Sequence, residues 1–121
     1  AGLDDAVLIK DNHLALIGIY EAIQKARKAV PHTMKIEVEA ENRQQVEEAL
    51  RGDADIILLD NMAPELMREM VDLIAGRAIV EASGGITEQQ LVSIAKTGVD
   101  YISSGSLTHS VRAIDISLNF S

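Results

Sequence analysis

Five small clusters of polar or glycine-bearing residues recur along the chain, each just after a short apolar run. They are Lys10 with Asp11, Asn12 and His13, then Glu39, then Asp60 with Asn61, then Ser83-Gly84-Gly85, and finally Ser104-Gly105-Ser106. Together they hold a cation, carboxylates and two small turns, a combination suited to a phosphorylated sugar with a metal ion. Glycine-rich turns let backbone N–H groups approach phosphate oxygens, and a helix starting just beyond adds the positive end of its dipole. Carboxylates can take ribose hydroxyls or Mg²⁺, which binds through one or two carboxylates plus substrate phosphates. The last two turns form the natural phosphate cup, and His109 follows the second closely enough to join it.

Each of these residues also has a plainer reading. A Gly-Gly turn before a helix serves as a tight connection, and Asp60 before Asn61 can simply end a strand. Glu37 and Glu39 share a face of any strand through them, so alternation alone does not choose which one faces a site. His13 can hydrogen-bond locally, and His32 after Pro31 reads as a surface residue. Met67 and Met70 read as core packing. No Ser/His/Asp arrangement is legible, and three dispersed histidines make no zinc signature.

Short apolar runs at Ala6–Ile9, Lys35–Val38, Ile56–Leu59, Ala78–Val80 and Tyr101–Ile102 predict the strands that carry these clusters. Helical periods lie between them. Ile19, Ala22, Ile23, Ala26 and Val30 fall on one face, and Pro31 stops that helix. Asn42 with Gln45 forms a capping pair ahead of Val46, Ala49 and Leu50, and Gly52 suits the C-terminal cap. Pro64 suits a first helical turn before Met67, Met70, Val71 and Ile74. Thr87 with Gln90 predicts a second capping box before Leu91, Ile94 and Ala95, closed by Gly98. One more apolar segment, Ala113–Leu118, ends the pattern.

Five strands separated by four helices predict a parallel sheet with right-handed crossovers. Near-continuous apolar runs predict strands buried on both faces. Open doubly wound sheets and (β/α) barrels share the pattern, and both place ligands beyond the carboxyl ends of the strands. A complete eight-unit barrel takes ~250 residues, so 121 residues supply about half of one. The expected fold is therefore α/β: a partial (β/α) barrel with parallel strands, about five βα units of a TIM-like barrel. Residues 1–121 form a single segment, and the open strand edges of a half-barrel lead one to expect association or a missing remainder.

Composition bounds the function. Apolar residues make up 47% and charged residues 25%, which excludes intrinsic disorder as the main state. A net charge of −8 disfavours nucleic acid, whose phosphates call for a basic face. No apolar run approaches the ~20 residues of a membrane span, and no signal peptide opens the chain. Without cysteine there is no disulfide framework and no thiolate metal site. The expectation is a soluble cytoplasmic domain. The opening Ala1-Gly2-Leu3, with a strand signal almost at once, suggests a piece of a longer polypeptide.

Taken together, the motifs resemble those of the quinolinate phosphoribosyltransferase family, the carboxylating nicotinate-nucleotide pyrophosphorylases. The likeness runs from Gly2-Leu3-Asp4-Asp5 and Ile9-Lys10-Asp11-Asn12-His13 through Glu37-Val38-Glu39 and Leu58-Leu59-Asp60-Asn61. It continues through Glu81-Ala82-Ser83-Gly84-Gly85-Ile86, Thr97-Gly98-Val99-Asp100 and Gly105-Ser106-Leu107-Thr108-His109. The resemblance implies transfer of a phosphoribosyl group from phosphoribosyl pyrophosphate to quinolinate, with Mg²⁺, giving nicotinate mononucleotide, pyrophosphate and CO₂ on the route to NAD. It implies that Lys10 contacts quinolinate, that Glu39 and Asp60 hold the ribose hydroxyls and Mg²⁺, and that Ser83, Gly84, Gly85, Ser104, Gly105, Ser106 and His109 hold the phosphate end. It also selects Glu39 over Glu37.

Family members carry an N-terminal domain and upstream Thr-Arg-Lys and Asn-His-Arg segments, and they assemble as dimers. None of these segments precedes Ala1, so the chain is expected to be the C-terminal part of such an enzyme, inert alone, with a homodimer or higher homo-oligomer formed by the full-length protein. Three other readings share the pattern: a phosphoribosyltransferase-like paralogue associated with molybdenum transport, a generic phosphate-binding barrel that takes sugar phosphates without a quinolinate effect, and a non-catalytic half-barrel that binds phosphate or serves only as an assembly unit.

Overall fold

The computed structural model describes residues 6–10, 17–103 and 111–120. Its elements alternate as expected. They are β1 (Ala6–Ile9), α1 (Ile19–Ala29), β2 (Lys35–Ala40), α2 (Arg43–Arg51), β3 (Ile56–Asp60), α3 (Pro64–Ile74), β4 (Ile79–Ser83), α4 (Glu88–Ala95), β5 (Tyr101–Ile102), β6 (Val111–Arg112) and α5 (Ala113–Phe120). The six strands form one sheet in strict sequence order. All neighbours through β5 pair in parallel, and β6 returns antiparallel against β5. Strict sequential order contains no reversal of strand order, the feature that defines a doubly wound sheet. The partial barrel is therefore the fold, in agreement with the reading of the sequence.

The sheet has two chemically different faces, and register shows which residues share each. Ile36, Val38, Ala40, Ile57, Leu59, Val80, Ala82 and Ile102 belong to one buried cluster with Ile23 of α1, Val46 of α2, Met67 and Met70 of α3 and Ile94 of α4. Fully burying one such side chain contributes roughly 1.5–3 kcal/mol relative to leaving it in water. The alternate residues, Glu37, Glu39, Ile56, Leu58, Asp60, Glu81, Ser83 and Tyr101, register against one another on the opposite face. Burial on both faces, expected of the strands generally, is therefore seen along β3 but not β2, where Lys35 is exposed and Glu37 and Glu39 are only part-buried. Two glutamates per strand cannot be sealed in an apolar layer at low cost, so that face stays polar.

Local signals set the helix ends. The Asn42 side chain accepts from the Gln45 N–H at 3.0 Å, and Gln45 Oε1 accepts from the Glu41 N–H at 2.6 Å, one residue earlier than a standard capping box. Thr87 and Gln90 do form a capping box, with the Thr87 N–H donating to Gln90 Oε1 at 3.1 Å. Pro64 takes the first turn of α3. Gly52 ends α2 with φ −84°, and the left-handed turn falls on Asp53 at φ +57°. Gly52 is required for another reason: a Cβ there would lie 2.6 Å from Ile23 Cδ1.

Two aspartates that precede strands fasten the amino ends of the sheet. Asp55 Oδ2 accepts from the Ile36 N–H at 2.8 Å and from Arg27 Nη1 at 3.0 Å. Asp100 Oδ2 accepts from the Val80 N–H at 2.9 Å. In both cases a carboxylate reaches back to the neighbouring strand where the ladder has not yet begun. Charge-assisted bonds of this kind are stronger than neutral ones.

Candidate active site

Glu39 and Asp60 sit inside the last turns of β2 and β3 rather than beyond them, and Ser83 is the last residue of β4. Period-2 alternation from Glu39 puts Glu41 on the same face, one residue past the strand. Carboxylate oxygens of Glu39, Glu41 and Asp60 all lie within 4.8 Å of one another, with Glu39 and Asp60 part-buried and Glu41 exposed. Three hard oxygen donors at this spacing fit Mg²⁺, which avoids sulfur and keeps several of its own waters.

The glycine turn packs directly against this cluster. Asn61, next to Asp60, adopts φ +57°, and its N–H donates to the Ser83 carbonyl at 2.9 Å. Gly84 has φ +114°, and a Cβ there would lie 2.9 Å from Asn61 N. Only glycine satisfies both the backbone angle and the approach. A Cβ on Gly85 would meet nothing within 4 Å, so that position opens onto free space. Carboxylates and glycine turn thus form one surface at the carboxyl ends of β2, β3 and β4.

A further carboxylate on the same face is buried. Glu81 is 6% exposed, and its Oε2 accepts from the hydroxyl of Ser103, just past β5. Its Oε1 is buried, with no hydrogen-bond partner among the described residues. Glu37, part-buried nearby, has its carboxyl pushed up from 4.5 to about 7, first by burial and then by the like charges of Glu81 and Glu39.

Comparison with known proteins identifies the family of the chain. Residues 1–119 match the family model described as quinolinate phosphoribosyl transferase, C-terminal domain. The chain belongs to the quinolinate phosphoribosyl transferase family. It is 48% identical to a probable nicotinate-nucleotide pyrophosphorylase [carboxylating] of Methanocaldococcus jannaschii, over 97% of this chain and 44% of that protein. A protein of the same name from Bacillus subtilis is also 48% identical, over 98% of this chain and 41% of its own length. Among solved structures, the nicotinate-nucleotide pyrophosphorylase from Francisella tularensis superposes with a TM-score of 0.80 at 40% identity, covering 91% of this chain and 40% of that one. The chain thus spans about two fifths of the length of these relatives.

Within this quinolinate phosphoribosyl transferase domain the expected residues divide into three groups. Glu39, Asp60, Ser83, Gly84 and Gly85 come together at one end of the sheet. Lys10 directly follows β1, exposed, where the register Ile9↔Val38 carries it toward the level of Glu39. Asp11, Asn12, His13, Ser104, Gly105, Ser106 and His109 lie outside the described residues. His32 is exposed, and Met67 and Met70 are buried, as expected. The sequence reading did not single out Glu41 or Glu81. Period-2 spacing from Glu39 and from Ser83 was the signal that could have found them.

Proposed function

We propose that this chain forms the phosphoribosyl-binding part of an enzyme that joins quinolinate to the ribose of phosphoribosyl pyrophosphate. In that reaction the C1–pyrophosphate bond breaks, the pyridine nitrogen bonds to C1, and the 2-carboxyl leaves as CO₂ while a proton from solvent takes its place on C2, giving nicotinate mononucleotide and pyrophosphate. Glu39 and Asp60 accept from the ribose hydroxyls and, with Glu41, offer the oxygens for Mg²⁺. A bound Mg²⁺ would neutralise charge on the pyrophosphate. The carboxylates also oppose the positive charge that builds on the ribose as the pyrophosphate departs. Ser83, Gly84 and Gly85, with Ser104, Gly105, Ser106 and His109, hold the 5′-phosphate, and Lys10 neutralises a quinolinate carboxylate. The setting is a cytoplasmic enzyme of NAD synthesis acting as a homodimer or larger homo-oligomer.

The observation that carries this reading is the meeting of Glu39, Glu41 and Asp60 with the Gly84–Asn61 turn at one end of the sheet. The names of the relatives support pyrophosphorylase activity over the molybdenum-transport paralogue. No helix among the described residues is long and apolar enough to cross a membrane.

The test is an amide NMR titration of the chain with Mg²⁺ and phosphoribosyl pyrophosphate. Shifts at Glu39, Asp60 and Gly84 are the expected result. A well-dispersed spectrum that does not respond would favour the non-catalytic half-barrel.

A further inference from the structure

Between the strands that lead into the two phosphate turns lies a polar pair that the reaction does not account for. Glu81, in the middle of β4, is 6% exposed, and its Oε2 accepts from the hydroxyl of Ser103, 22 residues later in the chain. Register places Glu81 between Leu58, itself buried, and Tyr101. A buried carboxylate costs free energy that a leucine at the same position would not. What it adds over a leucine is a directional, charge-assisted bond to one partner.

The place of that bond in the sheet gives it a task. Glu81 shares a strand face with Ser83, the first residue of the Ser83-Gly84-Gly85 turn. Ser103 directly precedes Ser104 and lies beyond the last ladder pair on either side, Ala82↔Ile102 toward β4 and Ile102↔Val111 toward β6. Ladder pairing therefore stops short of it. The Ser103 N–H donates to the Ala82 carbonyl at 2.8 Å, and its hydroxyl reaches back to Glu81. The backbone bond alone lets the chain pivot as it leaves β5, and the side-chain bond removes that freedom. The other turn is fixed separately, by the Asn61 N–H on the Ser83 carbonyl at 2.9 Å and by the close approach of Gly84 to Asn61. Glu81 and Ser103 thus join the strand that carries one turn to the residue that leads into the other.

We infer that Glu81 is a positioning residue: through Ser103 it sets where the chain leaves β5 relative to the Ser83-Gly84-Gly85 turn, and with that the grip on the 5′-phosphate. It acts without touching substrate, and its role rests on the phosphate assignment proposed above. Bonds from N–H to oxygen weaken outside about 2.7–3.2 Å. A small displacement of one side therefore loosens the hold on the phosphate and leaves the ribose end alone.

Calorimetric binding of nicotinate mononucleotide, and of nicotinate riboside, which lacks the 5′-phosphate, to the longer polypeptide tests this. Ser103→Ala should weaken the mononucleotide roughly tenfold, the scale of one hydrogen bond, and the riboside less than about twofold. Glu81→Leu removes the same bond from its other end and carries the same expectation, so the test does not hang on one variant folding. Glu81→Gln keeps an oxygen for the Ser103 hydroxyl and should hold the mononucleotide within about threefold of the native value. A purely structural role would weaken both ligands together or neither, and either result overturns the inference. So does a loss in Glu81→Gln as large as that in Ser103→Ala, which would trace the effect to charge rather than to the bond. Native protein that binds the two ligands equally would overturn the phosphate assignment itself, and the role of Glu81 with it. Native discrimination that survives in Ser103→Ala overturns only the role of Glu81.

Discussion

Asp60 and Glu37 lie on the same face of the sheet, yet the structure gives them opposite tasks. Asp60 is part-buried at the strand end beside the Gly84 turn and is available to a ligand. Asp60→Asn in the longer polypeptide should leave the circular dichroism spectrum unchanged and lower turnover by roughly 10²–10³-fold, the scale of removing one transition-state charge contact. Near-normal kcat would refute its role. Glu37 is instead a liability in the metal-free chain. Its carboxyl titrates near 7 when folded and near 4.5 otherwise, so the folded state holds a proton that the unfolded state gives up over that interval. Stability is therefore highest below about pH 4.5, as far as this group goes, and falls as pH rises through about 7. Since the residue is only half-buried, solvent screening reduces the loss to about 1–2 kcal/mol. Chemical denaturation between pH 4.5 and 7.5 should show that slope, and Glu37→Gln should flatten it.

Elements are held in register by a few contacts that reach across the sequence. Asp55 serves both β2, through the Ile36 N–H, and α1, through Arg27. Asp55→Ala strands the Ile36 N–H and leaves the Arg27 guanidinium only its bond to the Asp53 carbonyl, and should cost about 1–3 kcal/mol in urea denaturation. Asp72→Ala is the control. Its partner Arg68, 3.6 Å away, is exposed with it, and the change should cost under about 0.5 kcal/mol. At the other end of the sheet, Gly84→Ala forces a Cβ toward Asn61 at an unfavourable φ. It should destabilise by about 1–3 kcal/mol and displace the turn, seen as lost response to phosphoribosyl pyrophosphate in the same NMR titration. Most element signals were local and therefore legible. The Thr87–Gln90 box, the Pro64 start and the Asn42 cap all depend on residues within four positions. The aspartate fasteners were not legible, because Asp55 and Ile36 are 19 residues apart and nothing near either residue announces the other. The antiparallel β6 was missed for a similar reason: two residues carry no readable period.

At the scale of the whole chain, charge opposes the chemistry proposed for the site. The chain carries −8, and its proposed ligands are anions. Without Mg²⁺, association of phosphoribosyl pyrophosphate with this chain should speed up as salt rises from about 0.01 to 0.15 M, since screening weakens long-range repulsion over a shrinking Debye length. A stopped-flow on-rate that fell with salt would show that local attraction dominates instead.

The sequence by itself determined the element order, most caps, the apolar stripes and the residue types at the strand ends, because each is a short-range pattern of period 2 or 3.6. It also held the family's motifs in order. The tertiary structure added strict strand order, a fact about neighbours far apart in the chain, and so bore out the partial barrel expected from the sequence. Only the tertiary structure drew Glu41 into the carboxylate cluster, set Gly84 against Asn61, and left Glu81 buried without a second partner among the described residues. Those features depend on which side chains meet across strands, and no single stretch of sequence contains both sides of such a contact.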